Sequence, residues 1–180
     1  MPSALDLRIK DAVARITGPG GTLPVTMVEK NGIQLPAIAV APPTLALYFL
    51  YFCMQHGEAE FLVSGNERLT FSQTLAAAQK VASALIADHG IKKGDRVGIA
   101  MRNAPSWVVL YMGTLMAGGV ATLLNGWWQG SELAAGIADV GCSLVLADGP
   151  RAQRLADHGY AGPAKIVTLD IAKPIDGLID

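Results

Sequence analysis

Charge is scarce in this chain. Lys, Arg, Asp and Glu make up 16% of the 180 residues, 14 basic against 15 acidic, and Lys92-Lys93 is the only adjacent basic pair. So even and scattered a balance leaves no basic face for nucleic acid or an anionic membrane. Cysteine is nearly absent too: Cys53 and Cys142 stand far apart, with neither a disulfide framework nor zinc-ligand spacing. Both sit among apolar neighbours, where a buried, reduced thiol is the expectation. No basic-then-apolar signal opens the chain over Met1 to Lys10, so a cytoplasmic setting is expected. Repeats and low-complexity tracts are missing as well. What is present is apolar: 51% of the residues, in a length sufficient for one buried core, which excludes disorder for most of the chain.

One stretch calls for a decision about membranes, because no charged residue falls between Arg102 and Glu132. Pro105 to Leu124 is long enough to cross a bilayer. Gly118-Gly119 followed by the β-prone Val120, however, divides it into a helix of about three turns and a short strand. Both pieces suit a buried α/β layer, in which strands read as continuous apolar runs. Leu45 to Met54 is too short to span. No integral membrane segment is therefore expected.

Residues 1–43 read as a leader. Leu5, Ile9, Ala12, Val13 and Ile16 recur at helical spacing, Thr17 to Pro24 breaks the helix as a disordered linker, and Ala41-Pro42-Pro43 closes the segment in extended conformation. Residues 44–180 read as a domain. Thr44 is placed to cap a helix through Gln55, which is apolar all round and so expected to be covered on most sides. Glu60 to Phe71 suggests a hairpin turning at Ser64-Gly65-Asn66-Glu67. Thr70 and Gln73 form a capping-box pattern opening a helix whose inner face is Leu75, Ala78, Ala82, Leu85 and Ile86. From Asp95 onward the rhythm is strand Arg96–Met101, helix Pro105–Ala117, strand Val120–Leu124, helix Ser131–Val140, strand Ser143–Ala147, helix Arg151–Asp157, strand Lys165–Leu169, and then an irregular tail. Strands alternating with helices imply an α/β fold of βαβ units with a parallel sheet and right-handed crossovers.

Candidate sites are few. The three histidines each precede a glycine (His56-Gly57, His89-Gly90, His158-Gly159) and suit the ends of helices, where the ring faces the negative dipole end and glycine takes the left-handed position. No ligand set for a metal accompanies them. The glycine-rich Thr17 to Thr22 lacks the preceding strand, the following helix and the lysine of a phosphate loop. No G-x-S-x-G elbow occurs, and the aspartates, spaced singly along turns and helix ends, read as solvated caps. The best candidate is Asn125-Gly126-Trp127-Trp128, which lies between a strand and a helix, beyond the carboxyl end of a parallel strand where ligands gather in open α/β sheets. Two adjacent loop tryptophans should meet either the protein or a flat ligand.

Several motifs in order resemble one known family. Leu69-Thr70-Phe71 opens a helix. Lys93-Gly94-Asp95-Arg96-Val97 matches a K-G-D-x-V strand start. Asn103-Ala104-Pro105 leads through Trp107, Tyr111 and Gly113 to Ala117-Gly118. Leu124-Asn125, Glu132-Leu133 and Ser143-Leu144-Val145-Leu146 complete the series, which covers about Glu60 to Asp148. This part of the chain resembles the early, N-terminal part of the AMP-forming acyl-CoA synthetases. The resemblance implies the incomplete N-terminal α/β domain of a ligase for a fatty or similarly apolar acid, using ATP, Mg and coenzyme A. In that chemistry the carboxylate attacks the α-phosphate of ATP, releasing pyrophosphate, and the coenzyme A thiol then displaces AMP. The family's phosphate loop, ribose-binding aspartate and catalytic lysine have no match here. No catalytic role is assigned to any residue, and the 180 residues alone are expected to be inactive. In some relatives the loop corresponding to Asn125, Gly126, Trp127 and Trp128 lies near the nucleotide end of coenzyme A. Gly126 replaces a common proline, which is expected to loosen that loop. A partial sheet leaves an open edge, so self-association is a further expectation. The other readings are a stand-alone, non-catalytic α/β binding or assembly module and a membrane protein.

Overall fold

The structure, a computed structural model, describes residues 2–173; the tail from Pro174 onward lies outside the described residues. The chain divides into two compact units, one ending at Tyr48 and one beginning at Phe49.

The first unit has a helix and a hairpin. Helix α1 (Ala4–Thr17) starts at a capping box in which Ser3 and Asp6 satisfy each other's backbone N–H groups. Strands β1 (Val25–Lys30) and β2 (Ile33–Ile38) pair antiparallel. The segment expected as a disordered linker is a turn in which Leu23 N–H bonds the Ile16 carbonyl and Gly21 N–H that of Gly18. The hairpin was not anticipated from the sequence. Its signal was there: Asn31-Gly32, both at positive φ, form the two-residue turn that matches strand twist. No residue from Pro2 to Tyr48 is buried.

Helix α2 (Leu45–His56) straddles the division, with Leu47 N–H bonded to the Thr44 hydroxyl as expected. Only Phe49 and Cys53 are buried on it, whereas Leu45, Leu47, Tyr48, Tyr51 and Met54 are exposed. The expectation of cover on most sides therefore fails: the described residues pack against one face alone.

In the second unit, strands β3 (Glu60–Ser64) and β4 (Glu67–Thr70) form the expected hairpin, and the Thr70–Gln73 capping box opens α3 (Phe71–Ala87). The buried face of α3 is Thr74, Ala77, Ala78, Val81, Ala82 and Leu85. Ile86, expected inside, is exposed and Val81 takes the inner place. The parallel sheet follows: β5 (Arg96–Ala100), α4 (Pro105–Met116), β6 (Val120–Leu123), α5 (Gly130–Val140), β7 (Leu144–Asp148), α6 (Gly149–Asp157) and β8 (Lys165–Leu169). Its order is β6-β5-β7-β8, every pair parallel.

Alternation along β5 and β7 divides the core. Val97, Ile99, Met101, Leu144 and Leu146 pack with α3 and α4 on one face; Ala100, Val145 and Ala147 pack with Leu133 and Ile137 of α5 and Leu155 of α6 on the other. The chain runs from β5 outward to β6 and then back across to β7. That reversal is the topological switch at which open α/β sheets leave a crevice beyond their carboxyl ends.

Candidate functional site

The crevice is occupied by the loop after β6. A cleft of about 450 Å³ lies there, walled by Arg102, Asn103 and Trp107 after β5 and by Asn125, Gly126 and Trp127 after β6. All four residues singled out in the sequence line it, and their environments differ sharply.

Trp128 turns inward. Its ring lies against Gly136 of α5, where an added Cβ would sit 2.5 Å from the ring carbon Cζ3, and it packs on the α5–α6 side of the core. Trp127 turns outward and is 74% exposed, the guanidinium carbon of Arg102 lying 5.8 Å from its ring centre. Asn125 makes the bend, its Oδ1 accepting the Trp127 N–H at 2.9 Å. Of the two alternatives posed for the tryptophan pair, packing describes Trp128 and only Trp127 is free to meet a ligand.

Gly126 does not loosen the loop. Its carbonyl accepts from Arg151 Nε at 2.6 Å and from Arg154 Nη1 at 3.2 Å, and Arg154 Nη1 also donates to the Trp128 carbonyl at 2.9 Å. An added Cβ at Gly126 would lie 3.0 Å from the Met101 carbonyl, so the chain passes close to the end of β5. Behind these contacts lies Asp148, the last residue of β7, fully buried and paired with Arg151 at 3.1 Å. Its carboxylate also caps α6 through the Arg151 N–H and accepts the Arg102 N–H across the β5–β7 boundary. Asp148 is thus a cap, but a buried and charge-paired one, not the solvated cap expected. Sequence reading missed Arg102, Asp148, Arg151 and Arg154. The available signal was Asp148-Gly149-Pro150-Arg151 at a strand-to-helix junction, a capping aspartate with arginine three residues on.

The remaining candidates stay apart from this cleft. Each His-Gly pair lies at the end of a helix, with Gly57, Gly90 and Gly159 at positive φ. His56 stacks on Phe52 and contacts Phe71, while His89 Nδ1 lies 3.3 Å from Lys165 Nζ. Among the described residues no cluster of three or more His, Cys, Asp or Glu is arranged to hold a metal. Burial pushes the thiols of Cys53 and Cys142 up from the ordinary range, a hydrogen bond from Thr122 and the charge of Arg96 opposing the effect at Cys142. No described helix is long and apolar enough to cross a membrane.

Among the described residues the cleft offers the Arg102 guanidinium beside the exposed ring of Trp127, with Arg151 and Trp107 also in its lining. It suits a flat, anionic ligand. The profile described as "AMP-binding enzyme" matches residues 49–177.

The chain belongs to the AMP-binding enzyme family.

Its relatives are acyl-CoA ligases. It is 31% identical over 105 residues to the medium/long-chain-fatty-acid–CoA ligase FadD6 of Mycobacterium tuberculosis, covering 58% of this chain and 17% of that one. It is 36% identical over 89 residues to the mitochondrial medium-chain acyl-CoA ligase of Mus musculus, covering 49% and 14%. The chain thus spans about a sixth of the length of these relatives. Among solved structures, a Mycobacterium tuberculosis fatty acyl CoA synthetase superposes with a TM-score of 0.65 at 25% identity, over 71% of this chain and 26% of that one. A benzoate CoA ligase from Burkholderia xenovorans LB400 shares the fold, with a TM-score of 0.66 at 18% identity over 74% and 27%. The described part of this member of the AMP-binding enzyme family carries a parallel α/β layer of the same fold as those structures.

Proposed function

We propose that this chain is part of a ligase that activates a medium- or long-chain fatty acid with ATP, and that the cleft beside Trp127 receives the nucleotide end of coenzyme A. The observation that carries the second half is the exposed indole of Trp127 beside the Arg102 guanidinium, at the carboxyl ends of parallel strands. A purine needs a flat face to stack on and its phosphates need a cation, and the two lie within one contact of each other here. Two of the relatives, by name, act on medium- or long-chain acids, which supports the aliphatic substrate.

The division of labour follows from the residues present. Arg102, Asn125 and Trp127 bind and orient, while ATP activation falls to residues outside this sequence, where we place the phosphate-binding loop, the ribose-binding aspartate and the catalytic lysine. Magnesium enters with ATP as its counter-ion, and no metal-ligating cluster occurs among the described residues. A cytoplasmic setting is consistent with two buried, free thiols.

In the complete ligase, Trp127→Ala is expected to raise KM for coenzyme A about tenfold, the loss of about 1.4 kcal/mol of stacking, with KM for ATP and for the acid unchanged. An unaltered KM for coenzyme A removes the cleft from the mechanism. The 180-residue chain assayed alone should form no acyl-CoA above a blank without enzyme, and turnover there refutes the assignment of ATP activation to other residues.

A further inference from the structure

Both halves of the Trp127–Arg102 pair trace back to a single buried carboxylate. Asp148 Oδ2 accepts the backbone N–H of Arg102 at 3.0 Å, which fixes the chain where it leaves β5. The same carboxylate holds the Arg151 guanidinium, with Nη1 3.1 Å from Oδ2 and 3.4 Å from Oδ1. Arg151 then reaches with Nε to the Gly126 carbonyl at 2.6 Å. Gly126 immediately precedes Trp127, whose own N–H is tied to Asn125 Oδ1. With the Gly126 carbonyl drawn inward and the Trp127 N–H closed into the bend, the indole faces solvent beneath Arg102.

We propose that Asp148 and Arg151 are positioning residues, which lock the 125–128 loop onto the ends of β5 and β7 and so set the register of Trp127 against Arg102. Burial of a charged pair is weak evidence of stabilisation, since apolar groups of equal volume commonly serve as well. What such a pair supplies is direction: a guanidinium presents donors along fixed edges of one plane. Here one donor set is engaged by the carboxylate and Nε is left for a carbonyl on a different strand's loop. The side chains of Arg151 and Asp148 are 4% and 0% exposed, so water does not compete for those bonds. Arg154 adds a second tie to the same loop through the Gly126 and Trp128 carbonyls. The consequence for coenzyme A rests on the reading given under Proposed function; the lock itself does not.

The test uses Trp127 as its reporter. Its emission is isolated by subtracting the spectrum of the Trp127→Phe chain, and its exposure is read by acrylamide quenching. Arg151→Lys keeps the charge facing Asp148 and loses the Nε donor to Gly126. It is expected to change the Trp127 quenching constant at least twofold, with far-ultraviolet dichroism and a single cooperative unfolding transition retained. Asp148→Asn, which retains the shape and removes the charge, should move the same signal in the same direction. An unchanged quenching constant in both folded variants overturns the proposal. Should neither variant fold, the parent chain decides. The Arg151 Nε–H proton must exchange slowly with water by nuclear magnetic resonance, and rapid exchange overturns the lock. In the complete ligase, Arg151→Lys is expected to raise KM for coenzyme A about tenfold with KM for ATP unchanged. A shifted quenching constant with an unaltered coenzyme A KM upholds the lock and removes coenzyme A from the cleft.

Discussion

At the scale of single residues, identity predicts less than surroundings do. Trp127 and Trp128 are adjacent and chemically the same, yet Trp128 fills space against Gly136 and Trp127 stands in solvent. The two cysteines illustrate the converse. Their apolar neighbours in the sequence imply burial, and both are buried and free. Burial disfavours the thiolate, so the pKa lies above the ordinary value and the nucleophilic form is depleted at mildly alkaline pH. Reaction of the native chain with a disulfide reagent at pH 8 is therefore expected to be at least about tenfold slower than that of free cysteine, and to match it in denaturant. Native thiols reacting at the free rate contradict the burial of Cys53 and Cys142.

At the scale of elements, capping and periodicity carry most of the fold. The Thr70–Gln73 box, Thr44 ahead of α2 and Pro105 at the first turn of α4 were readable because each satisfies or removes a backbone donor locally. The contact between helices was not readable. On α4, Gly113 faces α3, where an added Cβ would lie 2.5 Å from Val81 Cγ1 and 3.0 Å from the Ala78 carbonyl. Helix propensity alone favours Gly113→Ala by about 1 kcal/mol. Overpacking costs about 1–3 kcal/mol and prevails where a backbone carbonyl is among the atoms struck. Gly113→Ala should lower the midpoint of denaturant unfolding, and a raised midpoint shows that α3 and α4 are less closely packed. Reading Ile86 as inward failed for the same reason: neighbouring positions on a helix differ by 100°, and only the partner surface decides which stripe is covered.

At the scale of the whole molecule, stability is unevenly distributed. β5 and β7 lie between two helical layers and are buried almost throughout, whereas no residue from Pro2 to Tyr48 is buried. Amide exchange is expected to follow that division. The central amides of β5 and β7 should exchange only through global unfolding, and those of α1, β1 and β2 orders of magnitude sooner. Uniform protection across both sets refutes it. Among the described residues the sheet ends at β6, where Val120 and Leu123 are exposed, and α2 carries a further exposed apolar face. An unpaired strand edge beside apolar surface is a template for association. Light scattering should therefore give a mass that rises with concentration, and a constant monomer mass counts against self-association.

How much was legible in the sequence depends on the range of the interaction. The order and limits of the βαβ units from Arg96 to Leu169 follow from local signals: apolar periodicity, capping residues and glycines at the turns act over a few residues and are written contiguously. The loop at Asn125 to Trp128 could be placed beyond a strand end for the same reason. Its geometry could not, because the groups that hold it, Asp148, Arg151 and Arg154, lie more than twenty residues further along. Arg151, held by Asp148, and Arg154 meet Gly126 only because the sheet order brings β5, β6 and β7 together. Composition and local pattern determined which elements form and the family they resemble. Tertiary structure alone decided which tryptophan is free and which aspartate is buried, since both depend on what the fold carries alongside them.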